Sequence, residues 1–559
     1  MPAKLSCYPV VAGTLRLHKL TLALLALAAA APAPALAGDV IVAGPGHATR
    51  HVDDPALPST EATDPIGGAV RCRATPPLSP HPRLQAAAGP TVKQALSSAR
   101  KDGSIGSSDY TRYRDDYSAG RAALGKLSDP TRHAQQKAVL DTLETIAGRG
   151  QLTGSRMPSL FLTLRRNTEY WTSGKPLPLT PPPPAGQKKP CAGASGQGGA
   201  RVEFEGDPVI FQWYPGRGLQ IQQLANFGKA NGLYQRCKDP TPDPANPCDR
   251  DALKAMLDRM ADIASKRGGR TAWEYYFEFG GGQPPWASGL AQGTAIQAYA
   301  RGYDLLGDPR YKSIGHDALG IFEQAPPTGV RVAADGGSHY LIYSFSPGLR
   351  VLNGFLQGVT GLYDFGQLTG DADAKRLFAA GDRAARKEIP RFDTGNWSLY
   401  NQNGHESDLG YHRLVRDFLS NLCDRTKVGV YCKTAARFTA YQHQRVKLIV
   451  TAPKKVIRAK KTYTFAFSVS KVSCTTLNVI RNPKPPAPPT PPVTTPPTPP
   501  PGTSAAAAPT TVLTRQAVLG HGGHTVQWTP AKAGNYMVQV VAIDLNGHRK
   551  KIEARFQVK

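Results

Sequence analysis

Between Tyr340 and Tyr441 the sequence carries an excess of groups that contact sugars: Tyr343, Asn353, Trp397, Tyr400, Asn401, Asn403, Tyr411 and His412. They fall in segments without a helical or strand period, and such residues in loops between helices more often build a binding surface than a core. The phenols among them can also move protons. A tyrosine with an ordinary pKa of about 10 becomes a usable base when cationic or hydrogen-bonding neighbours stabilise its phenolate. Recognition of an anionic sugar would call for guanidinium groups, whose planar donors match a carboxylate. Arg350 and Arg413 lie in this stretch, and Arg217 lies upstream of it.

Helices must position these groups. Leu352, Phe355, Leu356, Val359, Leu362 and Tyr363 recur at three- and four-residue steps and predict one buried helix face. Similar patterns predict helices over 219–233, 251–265, 290–305, 309–323, 353–368, 372–387, 411–424 and 428–441. Two of these pairs repeat: RGYDLLGDPRYKSIGHDALGIF and TGLYDFGQLTGDADAKRLFAAG share Tyr-Asp, a short apolar step and Gly-Asp, with Tyr303 and Tyr363 60 residues apart. A helical hairpin of that period cannot bury its own face, so successive hairpins must stack or close. Closure gives an (α/α) toroid with a concave face suited to a glycan chain. Asp308 and Asp371 each precede the second helix of their repeat and read as N-caps. Between 270 and 282, TAWEYYFEFGGG reads as an exposed-edged strand ending in a glycine turn.

The blocks VLNGFLQGVTGLYDF, FDTGNWSLY and GYHRL, with ASGLAQGTAIQAYAR and QIQQLANFGKANGL upstream, resemble the C-terminal catalytic domain of D-glucuronyl C5-epimerases. Those enzymes convert glucuronate to iduronate in heparan-type polysaccharides. The similarity covers roughly residues 210 to 445; together with the start and the end of the chain, read below, it leads us to expect a bacterial, exported member of that family carrying an added immunoglobulin-like domain.

Inverting C5 of a uronate removes a proton α to a carboxylate and returns one from the opposite face, so a proton carrier is needed on each face and the carboxylate must be neutralised. The resemblance assigns this chemistry to Tyr343, Tyr400 and Tyr411. It implies substrate contacts from Gln220, Gln223 and Asn226, whose spacing would keep them near one helix face. It extends the set to Arg350, Asn353, Asn403, His412 and Arg413, with Asn353 alternatively a helix cap. Animal members carry Glu where this chain has Ile342 and Arg where it has Asn403, so Glu406, Asp408 or His412 would have to supply the proton acceptor. The chemistry needs no cofactor. Animal members hold a structural calcium, whose ligands do not map onto this chain. Two other readings share the same features: a polysaccharide lyase using the same C5 carbanion, and a non-catalytic glycan-binding or cell-wall-binding protein on the same toroid. No P-loop, dinucleotide-binding glycine pattern or nucleophile elbow occurs.

The 559 residues carry a net charge of +27, which favours an acidic polysaccharide as partner and leaves nucleic acid without a motif. Residues 1–37 read as a signal peptide, which predicts a secreted or envelope-associated protein without a transmembrane segment. Residues 38–89 read as a low-complexity leader, 90–175 as a helical module and 176–200 as a Pro/Gly-rich linker. The toroid follows over 201–444, then an all-β immunoglobulin-like sandwich over 445–559 with a disordered Pro-rich insertion at 482–510. The expected fold is therefore multidomain and mainly α, with all-β structure at its end. Cys237 with Cys248 and Cys423 with Cys432 have the spacing of short-loop disulfides. Cys72 with Cys191 is a third candidate pair, leaving Cys474 odd.

Overall fold

In the computed structural model of the protein, residues 38–58, 89–180, 199–451, 456–482 and 508–559 are described. The expected signal peptide, most of the linker and of the Pro-rich insertion, Cys72 and Cys191 lie outside them.

Four helical hairpins in succession form the centre of the molecule. They are α5 (Gln223–Lys238) with α6 (Arg250–Asp262), α7 (Gly289–Leu306) with α8 (Pro309–Ala318), α10 (Leu352–Thr369) with α11 (Ala372–Glu388), and α12 (Leu409–Thr426) with α13 (Gly429–His443); a single turn, α9 (Gly320–Glu323), follows α8. The first helices pack side by side in the order α5, α7, α10, α12, each backed by the second helix of its pair, so the helices form the two layers of an (α/α) arc. The repeated Gly-Asp makes each corner. Gly307 and Gly370 end their helices in the left-handed region (φ +76° and +75°), and Asp308 and Asp371 then cap the next helices, accepting from the backbone N–H of Arg310 and Ala374.

Buried polar side chains tie the first helices of the arc to one another. Asp364 of α10 accepts two hydrogen bonds from Arg425 of α12 (2.6 and 2.8 Å), one from Gln297 of α7 (2.7 Å) and a longer one from Arg301 (3.4 Å). These bonds satisfy charges whose burial would otherwise be costly.

The N-terminal helices α1 (Val92–Lys101), α2 (Ser107–Lys126), α3 (Pro130–Gly148) and α4 (Met157–Thr172) form the expected module, with a core including Leu96, Tyr113, Leu140, Ile146 and Phe161. Two corrections apply here. Residues 38–54 are not leader: β1 (Gly38–Ala43) and β2 (Thr49–Asp54) extend a sheet of order β2-β1-β3-β4-β5 with β3 (Arg201–Phe204), β4 (Asp207–Tyr214) and β5 (Gly218–Ile221). β1 runs parallel to β3, placing Ile41 opposite Val202. Nor is residue 201 a domain boundary, because Ile41, Trp171, Val202, Trp213, Phe227 and Leu356 share one core.

The 270–282 stretch is also different from expectation. Only β7 (Arg270–Ala272) is a strand, pairing with β6 (Ser265–Arg267), and Trp273, Tyr275, Tyr276 and Phe277 are buried. Both faces of the segment are covered, so its aromatic alternation does not mark an exposed edge. Glu274 sits beneath it in a cluster with Arg156 (2.7 and 3.0 Å), Arg267 (2.6 Å), Ser265 and Tyr276. Burial opposes ionisation of Glu274, but the two guanidiniums outweigh it and hold its pKa below the ordinary value. A two-stranded hairpin, β8 (Arg331–Ala334) and β9 (Gly337–Tyr340), precedes α10.

The C-terminal region is a sandwich of two sheets, β10 (Leu448–Val450), β12 (Tyr463–Val469) and β15 (Gly522–Trp528) against β11 (Val456–Ile457), β17 (Arg549–Val558), β16 (Gly534–Asp544), β13 (Ser473–Arg481) and β14 (Thr510–Leu519). Phe465, Phe467, Val538, Val540 and Phe556 fill the space between them. Asn546-Gly547 turns β16 into β17, with Gly547 at φ +84°. Cys237–Cys248 and Cys423–Cys432 are disulfides as expected; Cys474, expected to be odd, is also disulfide-bonded. No helix among the described residues is long and apolar enough to cross a membrane.

Candidate active site

Each of the three tyrosines is held by a different local device. Tyr343 follows β9 on an extended segment that lies against the start of α7, where Ser344 N–H donates to the Ala287 carbonyl (2.9 Å) and Gly289 N–H to the Leu341 carbonyl (3.2 Å). Tyr400 sits near the tip of a hairpin, its N–H donating to the His405 carbonyl (2.7 Å) and its carbonyl accepting from Leu352 N–H (3.3 Å) at the start of α10. Tyr411 occupies the first turn of α12, its N–H donating to the Asp408 cap (2.9 Å). Side chains there lean towards the helix N-terminus, and the Tyr411 ring meets that of Tyr400 edge-on at 5.4 Å.

The three rings belong to one cluster with Tyr214, Tyr275, Phe277 and Trp286. Tyr343 is stacked on Phe345 at 5.2 Å and meets Trp286 edge-on at 5.7 Å. Gln222 fixes two of the wall phenols by donating to the Tyr214 hydroxyl (2.8 Å) and accepting from the Tyr275 hydroxyl (3.2 Å). Charge enters through Arg217, in the turn between β4 and β5, which pairs with Glu278 at 3.7 Å. Burial lowers the Arg217 pKa, yet a guanidinium remains cationic at any pH relevant to this chemistry. Glu278, between Phe277 and Phe279 of the cluster, was not among the predicted site residues. Its signal was the Glu-aromatic alternation of WEYYFEF, which reads as a strand pattern.

Several expected ligands have other work. Gln220 lies on β5 opposite Gln212, not on a helix with Gln223, because Leu219 and Ile221 alternate into the core. It donates to the Arg217 carbonyl (2.6 Å). Asn226 is fully buried and its amide is saturated, accepting from Ile210 N–H and donating to the carbonyls of Ile210 and Gln222, so it ties α5 to β4 instead of reaching a glycan. Gln223 donates to the Glu274 carbonyl (3.1 Å) and keeps a buried Oε1 without a partner. Asn353 is not the N-cap of α10, a place taken by Val351; its Oδ1 accepts from Gly354 N–H (2.8 Å) and its buried Nδ2 has no partner.

Arg350 pairs with the buried Glu388 (2.9 Å), which also accepts from Gln402 (3.1 Å), so this arginine secures the Tyr400 hairpin. Asn403 is exposed on that hairpin and Arg413 is exposed on α12. His412 is neither a substrate ligand nor a proton acceptor. It stacks on Trp397 at 3.6 Å, and the Phe438 carbonyl at 2.9 Å requires a proton on Nε2, leaving Nδ1 to accept from the Ser398 hydroxyl (2.8 Å). Burial pushes its pKa down to about 4. Glu406 is likewise withdrawn from proton transfer, since its buried carboxylate accepts from the backbone N–H groups of Val472 (3.0 Å) and His521 (2.6 Å) in the sandwich.

Among the described residues, His316, Asp371 and Asp373 bring donor atoms within 4.8 Å of one another. The set does not fit calcium, which takes six to eight oxygens: one donor is an imidazole, Asp371 caps α11 and Asp373 pairs with Arg376 (2.9 Å).

Residues 267–440 match the family described as D-glucuronyl C5-epimerase C-terminus. The D-glucuronyl C5-epimerase of Caenorhabditis elegans is 31% identical over 180 residues, which are 29% of this chain and 29% of that protein. An uncharacterized protein of Methanocaldococcus jannaschii is 28% identical over 180 residues, 31% of this chain and 58% of that protein. The chain thus spans less than two thirds of either relative. Among solved structures, an α-mannanase of Bacteroides thetaiotaomicron aligns over 60% of this chain and 84% of its own at 10% identity (TM-score 0.33). The cellobiose 2-epimerase of Bacillus thermoamylovorans aligns over 53% and 72% at 10% identity (TM-score 0.32). Residues 267–440, the part of this chain that holds Tyr343, Tyr400 and Tyr411, are therefore similar to the C-terminus of D-glucuronyl C5-epimerases.

Proposed function

We propose that the protein is an exported carbohydrate epimerase that inverts C5 of glucuronate residues in an acidic, heparosan-like polysaccharide. The observation that carries this reading is the gathering of Tyr343, Tyr400 and Tyr411 in one aromatic cluster close to a cation. One phenol, ionised, takes the C5 proton as the C–H bond breaks. The electron pair moves into the carboxylate, whose growing charge a guanidinium offsets. A second phenol on the opposite face returns a proton to C5, and bulk solvent resets the two phenols. Arg217 suits the neutralising role better than Arg350, because its pair with Glu278 (3.7 Å) is longer than the pair of Arg350 with the buried Glu388 (2.9 Å). Glu278, ion-paired to Arg217, is the carboxylate that takes the phenol's own proton when that phenol ionises, in place of the Glu that Ile342 replaces. The spare amide atoms of Gln223 and Asn353 are buried polar groups that a sugar hydroxyl would satisfy.

Export is supported by the disulfides, and a polyanionic partner by the charge of +27. The sandwich reads as immunoglobulin-like, because its sheets follow the A-B-E and A′-G-F-C-C′ order of that fold. Incubation with heparosan and a panel of uronans in deuterated water tests the function. Deuterium at C5 together with iduronate signals in the proton spectrum is the expected result. Ultraviolet absorbance of an unsaturated uronate would mean elimination instead, and binding without exchange would leave a glycan-binding protein.

A further inference from the structure

The Tyr400 hairpin is gripped from outside the helical arc. Its ladder joins Ser398 to Ser407, Leu399 to Glu406 and Tyr400 to His405. Glu406 therefore stands opposite the residue just before Tyr400, and its side chain leaves the helical region altogether. The two carboxylate oxygens accept from Val472 N–H and His521 N–H, with the His521 ring nitrogen at 3.3 Å. At the other end of the hairpin, the buried Lys471 ammonium lies 5.4 Å from the centre of the Trp397 ring. It donates to the Tyr441 carbonyl (3.0 Å) and the Gln444 carbonyl at the end of α13, and pairs with Asp544 (2.8 Å). Val472, Val518 and Leu545 pack into or against the main core. These residues come from the turns β12–β13, β14–β15 and β16–β17, all at one end of the sandwich.

We infer that the C-terminal sandwich completes the tyrosine site: Glu406 is a positioning residue through which two sandwich turns, β12–β13 and β14–β15, hold the hairpin that carries Tyr400. A hydrogen-bonded carboxylate buried between two domains is strong only while both oxygens stay paired. Shape alone would not require it, because apolar packing could join the domains without a charged pin. The pin instead sets the height of one short hairpin whose next residue is a candidate proton carrier. A misplacement of about 1 Å at such a group can cost on the order of a hundredfold in rate. This inference rests on the functional reading above for its kinetic part only.

Two full-length variants approach the pin from opposite sides. Glu406→Gln keeps the shape but lowers the capacity to accept from two N–H groups. Gly520→Ala leaves the helical arc untouched, yet its new methyl would sit 2.9 Å from the Glu406 carboxylate. In both, amide hydrogen exchange over residues 398–407 is expected to accelerate at least about tenfold, while amides of β13 and β16 and of α7 and α10 keep wild-type protection. C5 proton exchange on heparosan is expected to lose kcat roughly tenfold to a hundredfold with KM nearly unchanged, a split that general loosening of the fold would not produce. Wild-type protection of the hairpin in both variants would overturn the inference, whatever the activity. Equal acceleration throughout the sandwich and arc would overturn it too, showing a purely structural pin. If the wild type exchanges no C5 proton on any uronan, the functional reading fails while the hairpin measurement still decides the brace.

Discussion

The phenol of Tyr400 can be separated from the ring that carries it. Tyr400→Phe preserves the edge-on contact with Tyr411, so the unfolding midpoint should stay near wild type while C5 deuterium incorporation falls by about a hundredfold or more. A comparable loss of stability would instead place the hydroxyl in the scaffold. His412 gives the opposite case, a residue with chemical potential spent on structure. Its folded pKa of about 4 lies below the ordinary 6.5, so protonation favours the unfolded chain. Its contribution is intact above the ordinary value and is lost as pH falls towards and through about 4, amounting to roughly 3 kcal/mol at about 1.4 kcal/mol per unit. Denaturant unfolding between neutral pH and the folded pKa checks this, and His412→Gln should flatten the curve. The types and positions of Tyr343, Tyr400 and Tyr411 were legible in the chain, whereas the fates of His412, Glu406 and Asn226 were not. A side chain that can act as ligand or base looks the same in sequence when a backbone group has claimed it.

At the scale of elements, the arc depends on close backbone approach between α7 and α10. A Cβ on Gly361 would lie 2.1 Å from the Gly293 carbonyl oxygen, an atom that cannot rotate away. Gly361→Ala should therefore cost about 3 kcal/mol, seen as a lower urea midpoint. Gly125→Ala on α2, where the added methyl meets nothing within 4 Å, should raise stability by up to about 1 kcal/mol, seen as a higher midpoint. The helices themselves were readable because apolar period, Gly C-caps and Asp N-caps agree: the expected 353–368 is observed as Leu352–Thr369, and 411–424 as Leu409–Thr426. The failures were at strands. QIQQLAN has helical spacing, but its first residues pair with β4, and Gly38–Ala43 becomes a strand only because β3, far along the chain, offers an edge. Strand formation is decided by a partner, and no local pattern contains the partner.

Over the whole molecule, the two short-loop disulfides brace neighbouring parts of the arc, joining the end of α5 to the loop before α6 and α12 to α13. Reduction should lower stability by roughly 2–3 kcal/mol for each bridge, given the short loops they close. Thermal scans of the double variants Cys237→Ser/Cys248→Ser and Cys423→Ser/Cys432→Ser measure each one, because reductant would also open the bridge at Cys474. Four regions that read in sequence as successive units share buried surface: strand β1, helix α4 and the arc have one core, and the sandwich enters it through Val472. What the amino-acid sequence determined alone was the order of helical hairpins, their caps, the alternation of the sandwich strands and the family that the central region resembles. Each of these follows from residues within one or two turns, or within one ladder, of one another. Only the tertiary structure decided that the three tyrosines share a cluster, that Arg350 pairs with Glu388 while Arg217 pairs with Glu278, and that a carboxylate beside Tyr400 is held by another domain. Those outcomes depend on contacts between distant segments, where burial forces each polar group to take whichever partner the packing brings within reach.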